Sequence, residues 1–161
     1  MCAKSIIFYT FAAKMTNMKQ ITIKVAWNNS AFEGLVSSET SYGEMKIVTK
    51  DFNDIIDMGE AELKIGFDGY TEFGLELPEW YKNKEYEFVY KFQDVTAMLK
   101  AYSSYVSLAA ISRETGINSA LLSHYANDLK VPRNKQQKII VAGLHRIGAL
   151  LSKCTIDDER K

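Results

Sequence analysis

From Met18 to Asn28 the segment "MKQITIKVAWN" alternates Ile21, Ile23, Val25 and Trp27 against Thr22, Lys24 and Ala26. A two-residue period puts the first set on one face of a half-buried strand. Asn28, Asn29 and Ser30 supply a turn, and "AFEGLVSS" and "EMKIVTK" read as second and third strands. Three consecutive short strands of this kind make an antiparallel meander. At Asp51 the period changes. Phe52, Ile55, Ile56, Gly59, Leu63 and Phe67 recur at steps of three and four, which lays an apolar stripe along a helix expected to lie across the sheet. A polar loop is expected from Gly69 through Pro78 to Asn83, and "YEFVYKF" then alternates Tyr86, Phe88, Tyr90 and Phe92 as a fourth strand. Residues 18–92 therefore read β-β-β-α-β, a small α+β domain.

After Gln93 no strand pattern survives, and cap signals mark four helices. Asp94 or Thr96 caps one that runs through Tyr102, Ser107 caps the next through Thr115, and Asn118 caps a third. Asn134–Gln137, "NKQQ", resembles a capping box for a last helix whose Ile140, Leu144, Ile147 and Leu151 share a face. The division falls near residues 93–94, giving an α+β domain over 18–93 and an all-α domain over 94–154. Residues 155–161 read as a tail. The opening "MCAKSIIFYTFAAKMTN" has the outline of a weak signal peptide, but its apolar run from Ser5 to Ala13 is short and followed by Lys14. Residues 1–17 are expected to be a disordered extension, and Met18 is a possible initiator.

Hydrophobic residues make up 47% and charged residues 25%, which places the chain among folded globular proteins and excludes disordered and collagen-like classes. Two cysteines near opposite ends imply no disulfide framework, so a reducing cytoplasm is the expected compartment. The formal net charge is zero, but the zero is a cancellation. Residues 1–93 hold 10 Lys/Arg against 14 Asp/Glu, giving −4, while residues 94–161 hold 10 against 6, giving +4. A basic half suits a polyanion, and an acidic half suits a basic protein.

The basic half contains "SRETGINSALLSHYANDLKVP", residues 112–132. Ser112 is small enough for two helices to cross, Gly116 takes the backbone angle of a tight turn, and Ile117 and Leu122 bracket a segment capped by Asn118. With Leu108, Ile111 and Tyr125 these complete a small core, the arrangement of a helix-turn-helix. The opposite face of the second helix carries Ser119, Ala120, Ser123 and His124, short side chains suited to reading base edges in a major groove. Arg113, Asn127, Lys130, Arg133, Lys135 and Lys138 stand around it as candidate phosphate contacts. Between Asp94 and Lys153 eight Lys/Arg face three acids, leaving +5. The stretch resembles the Xre-type helix-turn-helix of phage repressors at Ser112, Gly116, Ile117, Ser123, Asn127 and Pro132. It departs at Asp128, where that family usually has Gly; Asp tolerates left-handed backbone angles, so the turn is retained.

Most of the chain, from Met18 to about Cys154, resembles HicB-family antitoxins of the form common in Bacteroidetes. The segments that carry the resemblance are "MKQITIKVAWNNSAFEGLVSS", "LPEWYKNKEYEFVYKF" and "GINSALLSHYANDLKVPRNKQQKIIVAGLHRIGALL". The resemblance implies a partial ribonuclease H-like first domain that sequesters a small basic HicA-like messenger-RNA-cleaving toxin. It also implies C-terminal helices that bind double-stranded operator DNA at the pair's own promoter. A homodimer or higher homo-oligomer is expected, because paired half-sites double the contact area. The toxin-contacting residues are not carried over from the resemblance. A different class of function stays open beside it: a stand-alone regulator whose first domain senses a ligand or dimerises.

An enzyme is not expected. Ribonuclease H chemistry needs carboxylates that converge on two metal ions. Asp51, Asp54, Asp57, Glu60 and Glu62 fall on one helix at mixed spacings, and "ITIKVAWN" carries no acid. His124 and His145 belong to no metal-ligand motif. Ser123 and His124 are adjacent, about 100° apart on a helix, a poor nucleophile–base pair. No cofactor, metal or membrane partner is implied.

Overall fold

The structure, a computed structural model, describes residues 18–36 and 45–155; the expected extension at 1–17 lies outside these residues, as does all but the first residue of the expected tail. The chain divides into two compact units between Gln93 and Asp94. Its architecture is α+β: a four-stranded mixed sheet and six helices among the described residues.

In the first unit the sheet order is β3-β2-β1-β4, with β1 (Lys19–Asn28), β2 (Ala31–Val36), β3 (Met45–Thr49) and β4 (Tyr86–Phe92). β1 and β2 pair antiparallel with Trp27 opposite Phe32 and Asn28 opposite Ala31. That register leaves a two-residue connection, Asn29 and Ser30, whose φ values of 49° and 61° give the left-handed geometry matching the twist of a hairpin. β4 runs parallel to β1, Ile21 opposite Phe88. A parallel pair needs a crossover, and helix α1 (Phe52–Glu72) lies on that path.

Asp51 caps α1, its carboxylate accepting the Asn53 amide at 2.9 Å. The buried stripe of α1 is Phe52, Ile55, Gly59, Leu63 and Phe67. It meets Ile21, Ile23, Val25, Phe32, Val36 and Ile47 from the sheet, all buried. Gly59 serves a close approach: a Cβ there would lie 2.9 Å from Cδ1 of Ile23.

Several expectations need correction. Ile56 is half-buried, at the margin of the stripe, and Ala26 is buried although it lies on the opposite side of β1 from Val25. Trp27 is half-buried, packed edge-on against Phe32 with centroids 4.7 Å apart. The helix does not end at Gly69 but continues to Glu72, because Phe67 and Tyr70 on either side pack ring against ring and outweigh glycine's cost of about 1 kcal/mol. It stops at Gly74, whose φ is +68°. The expected loop contains a short helix, α2 (Glu79–Lys82), whose Trp80 and Tyr81 rings pack on Phe67 and Tyr86. The four alternating aromatics of β4 are half-buried, as are Glu87 and Val89 between them.

The second unit contains α3 (Val95–Ala101), α4 (Leu108–Thr115), α5 (Ser119–Ala126) and α6 (Asn134–Leu151). α3 packs on α5, while α4 packs on both α5 and α6. Asp94 caps α3 through the Ala97 amide at 2.6 Å, and Ser107 caps α4 through Ala110 at 3.2 Å. The start of α6 differs from the expected Asn134–Gln137 box. Arg133 is the cap residue, and its backbone N–H donates to Oε1 of Gln136 at 3.2 Å. Gln137 instead donates to the Pro132 carbonyl at 3.1 Å. The shared face of α6 is graded: Ile140 is fully buried, Leu144 and Ile147 are half-buried, and Leu151 is exposed.

Candidate nucleic-acid interface

The turn between α4 and α5 is built from local hydrogen bonds. Gly116 terminates α4 at φ 71°, and its N–H donates to the Ser112 carbonyl at 2.9 Å. This left-handed angle is costly for any residue with a Cβ. The Thr115 hydroxyl donates to the Ile111 carbonyl at 2.6 Å and accepts from the Ile117 amide at 3.3 Å. Two residues after the break, Asn118 restarts the helix by accepting the Ala120 amide at 2.8 Å. Ile111, Leu122 and Tyr125 are buried beneath the turn, whereas Ser112, Leu108 and Ile117 are half-buried at its margin.

Two further contacts hold this scaffold, and neither has a sequence signature. The buried hydroxyl of Thr96 donates to the Tyr125 carbonyl at 2.8 Å, joining α3 to the last turn of α5. Arg146 on α6 pairs through Nε with the Glu114 carboxylate and donates from Nη2 to the Glu114 carbonyl at 3.1 Å. The guanidinium thus satisfies a helix-end carbonyl and fixes α6 beside the C-terminus of α4. These pairs lie 29 and 32 residues apart, beyond the reach of any periodicity argument.

The four candidate readers are not equally presented. Ser119 and Ala120, in the first turn of α5, are exposed, whereas Ser123 and His124 are half-buried. The amide of Asn127 donates to the Ser123 carbonyl at 2.9 Å and lies 3.4 Å from its hydroxyl, closing the end of α5. Asn127 is therefore first a helix-end residue, with its remaining exposed surface turned to solvent. Asp128 follows at φ 57°, taking the left-handed angle without glycine, and the Leu129 amide returns to the His124 carbonyl at 2.8 Å.

Arg113, Lys130, Arg133, Lys135 and Lys138 are all exposed. None enters an ion pair among the described residues, where the pairs are Lys46–Glu33, Lys82–Glu79 and Arg146–Glu114. Of the eight cations between Asp94 and Lys153, Arg146 is thus neutralised within the fold. The five at the turn and the start of α6 stay exposed and outside these pairs. In the same unit, burial pushes the Tyr102 phenol above its ordinary value of 10.0.

The first unit presents a different surface. α1 exposes Asp54, Asp57, Glu60, Asp68 and Glu72. No group of three or more His, Cys, Asp or Glu gathers at metal-binding distance among the described residues. An open hollow of about 220 Å³ lies on the sheet, lined in part by Lys24, Asn28, Glu33, Lys46 and Gln93. There Lys46 at 3.1 Å, and then Asn28, hold the Glu33 carboxyl below its ordinary range. No helix among the described residues is long and apolar enough to cross a membrane. No family model matches the chain, and no curated protein or solved structure similar to it was found.

Proposed function

We propose that the chain is an antitoxin of the HicB type. Its second unit binds double-stranded operator DNA and represses its own promoter; its first unit neutralises a small basic messenger-RNA-cleaving toxin. The observation that carries the DNA half is the α4–Gly116–α5 turn, with Ser119 and Ala120 exposed at the start of α5 in a unit that also exposes five unpaired cations. In this reading the first turn of α5 enters the major groove, and its hydroxyl and methyl meet base edges. Lys130, Arg133, Lys135 and Lys138 meet phosphates on one side and Arg113 on the other, which sets the register of the helix without reading sequence.

The neutralising half rests on sequence resemblance and on charge. A sheet ordered β3-β2-β1-β4 with β4 parallel to β1 is compatible with a partial ribonuclease H-like unit. The −4 of residues 1–93 and the acidic outer face of α1 complement a basic partner. Such a unit acts as a plug that covers the nuclease surface. The ligand-sensor alternative gains no support from the hollow on the sheet, whose roughly 220 Å³ falls below the ~300–1,000 Å³ of ordinary ligand sites. Neutralisation is tested by co-expressing the chain with the short basic reading frame beside its gene. A stable complex and restored growth are expected, and toxicity that persists with no complex formed defeats that half alone.

A further inference from the structure

We infer that the open face of the sheet, the one that α1 does not cover, holds a site for a protonated tetrahedral oxyanion of the phosphate class. The strand register lines up the residues that make it. Lys24 on β1 lies beside Lys91 on β4 and beside Leu35 on β2, and Leu35 in turn lies beside Lys46 on β3. Side chains alternate between the faces of a sheet, so this row stands on the side opposite Ile23 and Val25. Lys24 and Lys91 are exposed, and neither enters an ion pair among the described residues. Like charges on neighbouring strands repel, and here they do so although residues 1–93 carry −4. A bound anion relieves that repulsion.

Next to Lys24 this face is hollow. Ala26 and Leu35 line it with apolar surface, and Lys24, Asn28, Lys46 and Gln93 supply donors around it. Its roughly 220 Å³ is small for an ordinary metabolite but takes a tetrahedral anion with a few waters, each of which fills about 30 Å³ in the liquid. Hydrogen-bonding capacity then selects the anion. Glu33 stands in the same hollow, where Lys46 at 3.1 Å and then Asn28 at 3.3 Å hold its carboxyl ionised, below its ordinary range. A carboxylate offers about four acceptor positions, and the remainder is open only to a ligand that brings a proton. Phosphate keeps a hydroxyl at neutral pH. Sulfate and the phosphodiesters of nucleic acid do not, so each meets Glu33 as a like charge. A phosphomonoester offers the same hydroxyl when singly protonated. The site is thus separate from the DNA-binding reading of the second unit and does not depend on it.

Amide chemical shifts of the full chain, followed in NMR titrations at constant ionic strength and about pH 6, where roughly half of a monoester keeps its proton, test this. Inorganic phosphate is expected to shift the amides of Ala26, Gly34 and Leu35 saturably, and sulfate to bind about tenfold or more weakly, the worth of one hydrogen bond to a charged group. Lys24→Ala should weaken phosphate by a similar factor, whereas Lys64→Ala, exposed on α1, should leave it intact. Glu33→Gln should close the gap between phosphate and sulfate, a readout that does not depend on the Lys24 variant. Glycerol phosphate is titrated beside the free ion: binding of either supports the site, and the tighter of the two identifies its source. No saturable shift at these amides, equal affinity of the wild type for phosphate and sulfate, or unchanged binding in Lys24→Ala overturns the inference. So do shifts confined to the amides around Arg133 and Lys135, a result that leaves the DNA-binding reading standing.

Discussion

The hydroxyl of Thr96, at the start of α3, donates to the carbonyl of Tyr125, in the last turn of α5, at 2.8 Å, and both residues are buried. It joins a helix outside the turn motif to the end of the helix that exposes Ser119 and Ala120. Replacing Thr96 with Val keeps the shape but removes the donor. The carbonyl retains the Asn127 and Asp128 amides, so the loss should be close to that of one buried hydrogen bond, about 1 kcal/mol. For a unit of this size the melting temperature should fall by roughly 4–8 °C in calorimetry; no change would mean that packing alone places α5.

Gly143 and Thr115 make a second prediction. A Cβ at position 143 would meet Cγ2 of Thr115 closer than real side chains ever approach. Gly143→Ala should therefore push α6 from α4 and cost about 1–3 kcal/mol, the usual penalty of overpacking. Thr115→Ser removes the obstructing methyl while keeping the hydroxyl that bonds to Ile111 and Ile117. Combined with Gly143→Ala, it should restore part of the loss in urea denaturation. Strict additivity of the two single changes would show that they do not touch.

Alkaline stability follows from Tyr102. Burial raises its phenol above 10.0, the value expected for an unfolded chain. The folded state then favours the neutral form, so stability is fully present below pH 10 and is lost as pH rises through the higher folded value. Tyr81 and Tyr86 in the first unit are displaced upward by the same cause and add to the loss. Tyr102→Phe should flatten the part that belongs to the second unit, read as the melting temperature of the chain between neutral and alkaline pH. An unchanged slope would exclude burial of this phenol as a source.

Much of the fold was legible because it is written in short-range periods. The alternation of Ile21, Ile23 and Val25, the stripe from Phe52 to Phe67, and the caps at Ser107 and Asn118 each depend on residues within a few positions of one another. What escaped the sequence depends on distant partners. Gly69 reads as a break because glycine is a poor helix former; only the Phe67 and Tyr70 rings beside it explain why α1 continues. That β4 pairs parallel with β1 at an edge of the sheet is likewise not written in "YEFVYKF" itself. At the candidate interface, the left-handed Gly116 and the capping Asn118 were readable in the sequence. The half-burial of Ser123 and His124 was not, because it is set by chain outside the helix that carries them.

The DNA reading makes separable demands on two sets of residues. Arg133 and Lys135 are exposed, unpaired cations where α6 begins, and phosphate contacts carry affinity without sequence preference. Replacing both with Ala should weaken binding to operator and random duplexes alike. It should also lower the slope of log affinity against log salt by about 2, since each lost phosphate contact removes close to one released counterion. The N–H of Arg133 bonds to Gln136 through the backbone, so alanine keeps that contact and the helix start survives. Ser119→Ala acts differently. Its hydroxyl is exposed at the first position of α5, where the DNA reading puts a base edge, so on that reading the change should cost about 1–3 kcal/mol on the preferred operator and almost nothing on random DNA. Fluorescence anisotropy across a salt series on both duplexes separates the two effects. If the cation pair changes specificity, or the serine changes the salt slope, α5 does not lie in the groove as proposed; if neither variant changes binding, another surface of the unit meets DNA.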